Sequence, residues 1–161
     1  MKTTLNIINS HRPCKSGWDE LLKSLNKATP DDEPLDLMYI LKSNGIKDAI
    51  WALQCFDYLD YCLFLADVAE SALSIYETKG VSDAPRKAIQ AIRDYKVGQI
   101  TKDELIHAVE AVYADAADAA DADAAVATTD YAANAVADYA AAAKQKKWEE
   151  IEALFIKHFG E

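Results

Sequence analysis

The alanine-rich stretch from Ala114 to Ala143 limits the fold of this chain more than any other feature. Seventeen of its thirty residues are alanine, six are aspartate and none is lysine or arginine. Alanine is the strongest helix former, and isolated aspartates keep such a helix soluble. The stretch therefore predicts α-helix, with a break near residues 128–130, where two threonines and an aspartate are weak helix formers.

The remaining sequence also has the periodicity of helices. In "CKSGWDELLKSLNK", apolar residues recur at spacings of three, four and seven, which places Trp18, Leu21, Leu22 and Leu25 on one helical face. No segment alternates at period two for long, and five glycines and four prolines are few for a chain of 161 residues. We therefore predict an all-α fold, a compact bundle of six to eight helices with an alanine-rich C-terminal helical hairpin.

The length of the chain predicts one helical domain over residues 1–161, divided into three parts. Residues 1–13 are predicted to be a polar lead-in with a short extended piece at "TLNII". The large apolar residues are concentrated between Leu35 and Leu73, so residues 14–99 are predicted to be the apolar helical core. Residues 100–161 are predicted to form the alanine- and aspartate-rich helices.

Helix boundaries follow from capping residues. Ser16 and Pro34 are predicted to begin helices. One helix is predicted to end at "SNG", where Asn44 or Gly45 takes the left-handed C-terminal conformation, and the last is predicted to end at Gly160. "TKDE" at residues 101–104 has the pattern of a capping box at the start of the helix that enters the alanine-rich stretch. Two helices on either side of Gly45 are predicted to pack as a hairpin through Leu37, Ile40, Leu41, Ile50, Trp51 and Leu53.

The charge of the chain is strongly segregated. The formal net charge is −10, from 27 acidic and 17 basic residues, which argues against nucleic acid as a direct ligand. Residues 103–143 carry nine acids and residues 48–78 carry six, and neither segment contains lysine or arginine. The other residues are mildly basic, so these two segments carry all the net negative charge.

The alanines and aspartates have a structural and a binding interpretation. Small side chains let two helices approach to about 8 Å, which explains the alanines. The missing bases indicate a surface for a basic partner. The 41 residues from 103 to 143 span about 60 Å as a helix, or about 7 Å per acid. Duplex DNA has one charge per about 1.7 Å, so one helix is too dilute to imitate it. The predicted partner-binding residues are Asp115, Asp118, Asp121, Asp123, Asp130, Tyr131, Asp138 and Tyr139.

Tyr131 and Tyr139 have two interpretations. Tyrosine on a smooth alanine-rich surface is a common anchor for a partner. The same side chains are equally suited to filling gaps between two alanine-rich helices, and the sequence leaves this choice open.

No pattern in the chain predicts catalysis, a metal or a cofactor. The three cysteines are odd in number and no apolar signal segment begins the chain, so a reduced, cytoplasmic protein is expected. Cys55 and Cys62 are predicted to be buried thiols. Cys14 becomes a nucleophile only with a base beside it, and the carboxylates of "DAADAADAD" lack the cationic groups of a diphosphate-binding magnesium site.

Several blocks of the sequence resemble a known family. "CKSGWDELL", "DDEPL" and "SNGIKDAIW" are followed by "LFLADVAE", "PRKAIQAIRDYKVGQITKDEL" and an alanine-rich tract that ends in "KQKKWEEIEALF". Together these blocks resemble an alanine-rich, immunity-like protein family of phages and bacteria over nearly the whole chain from Cys14 onward. The resemblance implies a protein that binds and neutralises a toxin or nuclease, and it supplies no active-site residues.

We therefore expect a non-enzymatic acidic inhibitor that blocks the basic surface of a nucleic-acid-handling protein, such as a nuclease or a CRISPR effector. Anti-CRISPR, anti-restriction and toxin-immunity roles all fit this expectation, in the host cytoplasm if a phage encodes the chain. We expect no direct nucleic acid ligand and no membrane association. The alternatives are a helical oligomerisation or scaffold module, with a homodimer as partner, and an enzyme that uses the aspartates or Cys14.

Overall fold

The computed structural model of the chain describes residues 1–77, 83–118 and 141–160. Contacts between residues divide the chain into two compact units. The first unit is Met1–Tyr61 together with the residues from Glu150 onward, and the second is Cys62–Glu149. The described residues contain eight α-helices and two strands of two residues each, which confirms the predicted all-α class. The predicted break at 128–130 and the turn of the C-terminal hairpin lie outside the described residues.

The first unit begins with a short antiparallel ribbon. Strand β1 (Lys2–Thr3) pairs with β2 (Leu35–Asp36), with Lys2 opposite Asp36. The α-helices that begin in this unit are α1 (Leu5–Ser10), α2 (Lys15–Ser24), α3 (Leu37–Asn44), α4 (Ile46–Trp51) and α5 (Tyr58–Glu77), and a 3₁₀ turn (Ala52–Cys55) follows α4.

The N-terminal segment is helical and contributes to the core. The extended piece predicted at "TLNII" is wrong, because α1 begins at Leu5 with the Thr4 hydroxyl accepting a hydrogen bond from the Ile7 N–H. Leu5 and Ile8, three residues apart, face inward and are almost completely buried. Burial of each stabilises the fold by about 1.5–3 kcal/mol, which explains why this mainly polar segment folds onto the unit.

Two of the predicted helix starts differ from the structure. Helix α2 begins at Lys15 with Cys14 as its N-cap, so Ser16 lies inside the helix. Helix α3 begins at Leu37, because the Asp36 carboxylate accepts from the Met38 N–H while residues 35–36 pair in the ribbon. Pro34 therefore precedes the strand and not the helix.

The corner between α3 and α4 confirms the predicted stop at Gly45. Gly45 has φ of 84°, a left-handed conformation that glycine adopts without steric cost, and its N–H donates to the Leu41 carbonyl. Leu37, Ile40 and Leu41 face inward as predicted. On the other side of the corner, the buried residues are Ala49, Ala52 and Leu53, whereas Ile50 and Trp51 are only partly buried.

The second unit includes α5 from Cys62 onward, α6 (Ala84–Lys96), α7 (Lys102–Asp118) and the start of α8 (Ala141–Phe159). Helices α6 and α7 pack against each other across a short turn, where Gly98 has φ of 74°. Their core includes Leu73 of α5, Ile89 and Ile92 of α6 and Leu105 of α7.

The C-terminal part of α8 belongs to the first unit. Ile151 and Phe155 are fully buried, and the rings of Phe155 and Phe159 meet edge to face with centroids 4.8 Å apart. The helix ends at Phe159, and the N–H of the next residue, Gly160, donates to the Ile156 carbonyl. The predicted end at Gly160 is therefore correct within one residue.

Candidate functional site

Helix α7 begins with the predicted capping box. The Glu104 carboxylate accepts hydrogen bonds from the Thr101 N–H at 2.7 Å and from the Thr101 hydroxyl at 2.9 Å. The Glu104 N–H donates back to the Thr101 hydroxyl at 3.3 Å. These bonds lower the pKa of Glu104, first through the backbone N–H and then through the hydroxyl. The box fixes where α7 begins and therefore which turn of α7 each of its later acids occupies.

The acidic residues of α7 lie on one side of the helix, opposite the core. At about 100° per residue, the positions of all five acids fall within an arc of about 140°. Leu105 is buried on the opposite side, and Ala108, Val109 and Val112 beside it are partly buried. We call the five positions the acidic arc: Asp103, Glu104, Glu110, Asp115 and Asp118.

The described carboxylates of the acidic arc have no lysine or arginine partner among the described residues. Glu110 lies 3.4 Å from the His107 ring nitrogen Nδ1, and both side chains are mostly exposed. Glu104 is held by Thr101, and Asp103 is exposed. The described carboxylates of the arc therefore present negative charge to solvent, and no lysine or arginine among the described residues compensates them.

Two acids of α5, Asp67 and Glu70, are compensated by a cation. Arg93 of α6 donates from Nη2 to Glu70 at 2.7 Å and to Asp67 at 2.9 Å, and from Nη1 to Glu70 at 3.3 Å. This fork is the geometry in which arginine binds carboxylates most strongly. It lowers the pKa of Glu70 and raises that of Arg93. Asp67 and Glu70 therefore belong to an internal ion cluster and not to a free acidic surface.

Only two of the eight predicted partner-binding residues lie within the described part of the chain. Asp115 and Asp118 lie in the last turns of α7, three residues apart and thus about 60° apart around the helix axis. Six of the predicted residues lie outside the described residues: Asp121, Asp123, Asp130, Tyr131, Asp138 and Tyr139. Their role in binding stays a prediction.

A second feature lies wholly within the first unit, where the start of α2 meets the corner of α3 and α4. The Asn44 side-chain amide donates to the Gly17 carbonyl at 2.8 Å and to the Asp48 carboxylate at 3.0 Å. A Cβ atom on Gly17 would lie 2.5 Å from Asp48 Oδ2 and 3.3 Å from Cys14 Sγ. Glycine at position 17 therefore lets the carboxylate reach the backbone of α2.

This contact borders a cavity of about 190 Å³, which we call the Trp–Asp pocket. Trp18 and Trp51 line it and are half-buried, and Ile8, Leu21 and Ile40 add apolar wall. The polar groups of the lining include Cys14, Asn44, Lys47 and Asp48.

Sequence reasoning missed this pocket. It interpreted Trp18 and Trp51 as helix-contact residues and assigned no role to Asp48. The signal was present in the blocks "CKSGW" and "SNGIKDAIW", because seven of their residues line the pocket: Cys14, Gly17, Trp18, Asn44, Lys47, Asp48 and Trp51. Their convergence depends on the angle between α2 and the α3–α4 corner, which helical periodicity does not determine.

The cysteines have different surroundings. Cys14 is exposed, and its Sγ contacts the Gly17 N–H at 3.4 Å and the Ser16 hydroxyl at 3.5 Å. Cys62 is buried, whereas Cys55 is partly buried. Burial raises the pKa of the Cys55 thiol, and the nearby Thr3 hydroxyl opposes this rise. That hydroxyl forms no hydrogen bond of regular geometry within the described part of the chain, so its contact with the thiol is weak.

Residues 1–77, 83–118 and 141–160 contain neither a metal-binding cluster nor a membrane-spanning helix. There, no three His, Cys, Asp or Glu side chains are grouped so that they could hold a metal ion. No helix in these ranges is both long enough and apolar enough to cross a bilayer.

Comparisons with models of known protein families, with curated proteins and with solved structures find no match to this chain. The resemblance to immunity-like proteins therefore stays an expectation. The roles of the acidic arc and of the Trp–Asp pocket have to be inferred from their own geometry and chemistry.

Proposed function

We propose that this protein is a non-enzymatic acidic inhibitor that binds the basic surface of a nucleic-acid-handling protein, such as a nuclease or a CRISPR effector. The observation that carries the proposal is the acidic arc of α7. Its acids share one side of the helix opposite Leu105, and its described carboxylates lack a lysine or arginine partner within the described residues. Anti-defence by a phage and immunity to a toxin are both instances of this function.

Electrostatic complementarity supports this class of partner. Proteins that hold nucleic acid present clustered lysines and arginines to the phosphates. A one-sided array of carboxylates on a helix matches such a cluster and accelerates encounter at low salt. The net charge of −10 adds to the same attraction.

The arc is expected to cover part of a basic surface and not to reproduce a duplex. The five acids of α7 are spread over the 17 residues of Lys102–Asp118, or about 25 Å of helix, which is one per about 5 Å. Duplex DNA has one charge per about 1.7 Å. The inhibitor is therefore expected to bind a local basic patch at the edge of a nucleic-acid site.

The proposal is tested by changing charge at constant shape. In the first variant, Asp115, Asp118, Asp121, Asp123, Asp130 and Asp138 are all replaced by asparagine. The matched control neutralises six exposed acids in the first unit, and so changes the net charge equally: Asp19, Glu20, Asp32, Asp57, Asp60 and Glu152. Both are immobilised beside the unmodified protein, and capture of host proteins is compared at low and high salt by mass spectrometry.

The expected result is a nucleic-acid-handling protein that the unmodified chain and the control both capture at low salt and that the first variant loses. The captured protein should lose its nuclease or DNA-binding activity when the unmodified chain is added. Equal capture by the first variant would contradict the proposal. A stable dimer whose formation does not depend on salt, and which Ala-to-Leu changes in the alanine-rich stretch disrupt, would favour the scaffold alternative.

A further inference from the structure

The geometry points to a second binding site: the Trp–Asp pocket accepts one arginine side chain of a partner protein. Its guanidinium would lie against the Trp18 and Trp51 indoles and pair with the Asp48 carboxylate. This inference does not rest on the acidic arc, because every residue of the pocket belongs to the first unit.

The size of the pocket limits its occupant to one side chain. A cavity of about 150 Å³ is enough to hold benzene, and the Trp–Asp pocket measures about 190 Å³. Sites for drug-sized ligands and cofactors start at about 300 Å³. One flat group the size of a guanidinium on its stem therefore fits, and a nucleotide does not.

The chemistry of the walls favours a cation with an apolar stem. Most of the lining is apolar, and it includes two indoles, the aromatic groups to which cations bind best. Asp48 adds the one acidic side chain of the lining, and Asn44 holds one of its oxygens in place. An arginine side chain combines a planar delocalised cation, a preference for stacking on aromatic rings and an apolar stem.

Lys47 also lines the pocket and opposes a cation there. Its side chain is exposed, so its repulsion is screened by water and salt more than the attraction of the partly buried Asp48. A lysine side chain is expected to bind more weakly than an arginine side chain. Its ammonium is a strongly hydrated point charge, which neither stacks on an aromatic ring nor forms two parallel hydrogen bonds with a carboxylate.

The site is tested with three small probes and the intact chain labelled with ¹⁵N. N-acetyl-arginine amide supplies the proposed group, N-acetyl-citrulline amide has the same shape without the charge, and N-acetyl-phenylalanine amide is an apolar ring. The chain has three tryptophans, so the indole N–H signals of Trp18 and Trp51 report the pocket and that of Trp148 is an internal reference. We expect saturable shifts of the first two, with the arginine probe binding about tenfold more tightly than the citrulline probe.

Three variants test which side chains of the first unit determine binding of the arginine probe. D48N keeps an oxygen that can accept a hydrogen bond from Asn44. It should lower the affinity for the arginine probe to that for the citrulline probe. D60N removes an exposed aspartate of the same unit and should leave binding unchanged, whereas K47M should strengthen it by a few-fold. Equal affinity for the arginine and citrulline probes in the unmodified chain would overturn the inference. So would unchanged binding in D48N, tighter binding of the phenylalanine probe, or the absence of saturable shifts with all three probes.

Discussion

Helices α5 and α7 both carry several carboxylates, but among the described residues a guanidinium binds only two of them, Asp67 and Glu70 of α5. Asp67 and Glu70 meet Arg93, which comes from α6 more than twenty residues later in the sequence. In α7, Glu104 meets Thr101, and Glu110 meets His107. Carboxylates therefore take part in an intramolecular ion cluster in α5 and form an exposed surface in α7.

A segment that lacks lysine and arginine does not by itself form an uncompensated acidic surface. Residues 48–78 lack lysine and arginine, yet a neighbouring helix supplies the missing cation to two of their six acids. Arg93 of α6, the helix that packs against α7, pairs with α5 and with none of the described carboxylates of the acidic arc. The functional prediction is therefore more specific than charge composition allowed, because it now centres on α7 and the stretch that follows it.

The largest expected effect tests which side of α7 is structural. Leu105→Ala removes a buried side chain opposite the acidic arc, and we expect the free energy of unfolding to fall by about 2–4 kcal/mol. Ile106→Ala, at a neighbouring position that is 42% exposed, should change it by less than about 1 kcal/mol. Urea unfolding followed by circular dichroism measures both, and equal losses would show that the assignment of the two sides is wrong.

The next effect removes the compensation of the α5 acids. Arg93→Met removes the guanidinium that binds Asp67 and Glu70, and Asp67 is mostly buried. We expect a loss of about 1–2 kcal/mol in the free energy of unfolding, between the values typical of exposed and buried pairs. Lys87→Met is the control, because its pair with Asp83 is largely exposed and should contribute less than about 0.5 kcal/mol. Equal stability of Arg93→Met and the unmodified chain would show that Asp67 and Glu70 behave as free surface charges.

Local sequence signals predicted the helices well because they act within one turn. The capping box at Thr101 and the stop at Gly45 depend on residues that contact their own helix, and both are found in the structure. The start predicted at Pro34 is wrong because Leu35 pairs with Thr3, a contact across 32 positions that no local pattern encodes. The same limit explains the missed helix α1, which has few apolar residues and buries two of them, Leu5 and Ile8, in the core.

The candidate sites were predictable to different degrees. The acidic arc follows from sequence once the helix start is known, because the register of a helix is fixed by about 100° per residue. The pairing of Arg93 with Glu70 and the convergence of Trp18, Asp48 and Trp51 were not predictable. Both depend on how separate helices pack, and this is decided by the whole apolar surface of each helix.

A smaller effect concerns the register of the acidic arc itself. Thr101→Ala removes the hydroxyl that accepts from the Glu104 N–H, and loss of such a cap costs about 1 kcal/mol. Thr101→Ser keeps the hydroxyl and should keep most of the stability. Amide hydrogen exchange in the first turn of α7 should accelerate in the alanine variant and stay slow in the serine variant. Unchanged exchange in Thr101→Ala would mean that packing of Leu105, and not the box, fixes the start of the helix.

The smallest effect is a pH dependence that separates the two classes of acid. The Arg93 fork lowers the pKa of Glu70 below its ordinary value of 4.5, so the folded state holds this carboxylate ionised at lower pH than the unfolded state does. The stabilisation is therefore complete above about pH 5 and is lost as the pH falls through the lowered pKa. Glu70→Gln should flatten the fall of the free energy of unfolding between pH 5 and pH 3, whereas the same replacement in Arg93→Met should change the slope less, because the fork is then already absent. An equal flattening with and without Arg93 would show that the guanidinium does not hold this carboxylate and that Glu70 is not distinct from a free surface acid.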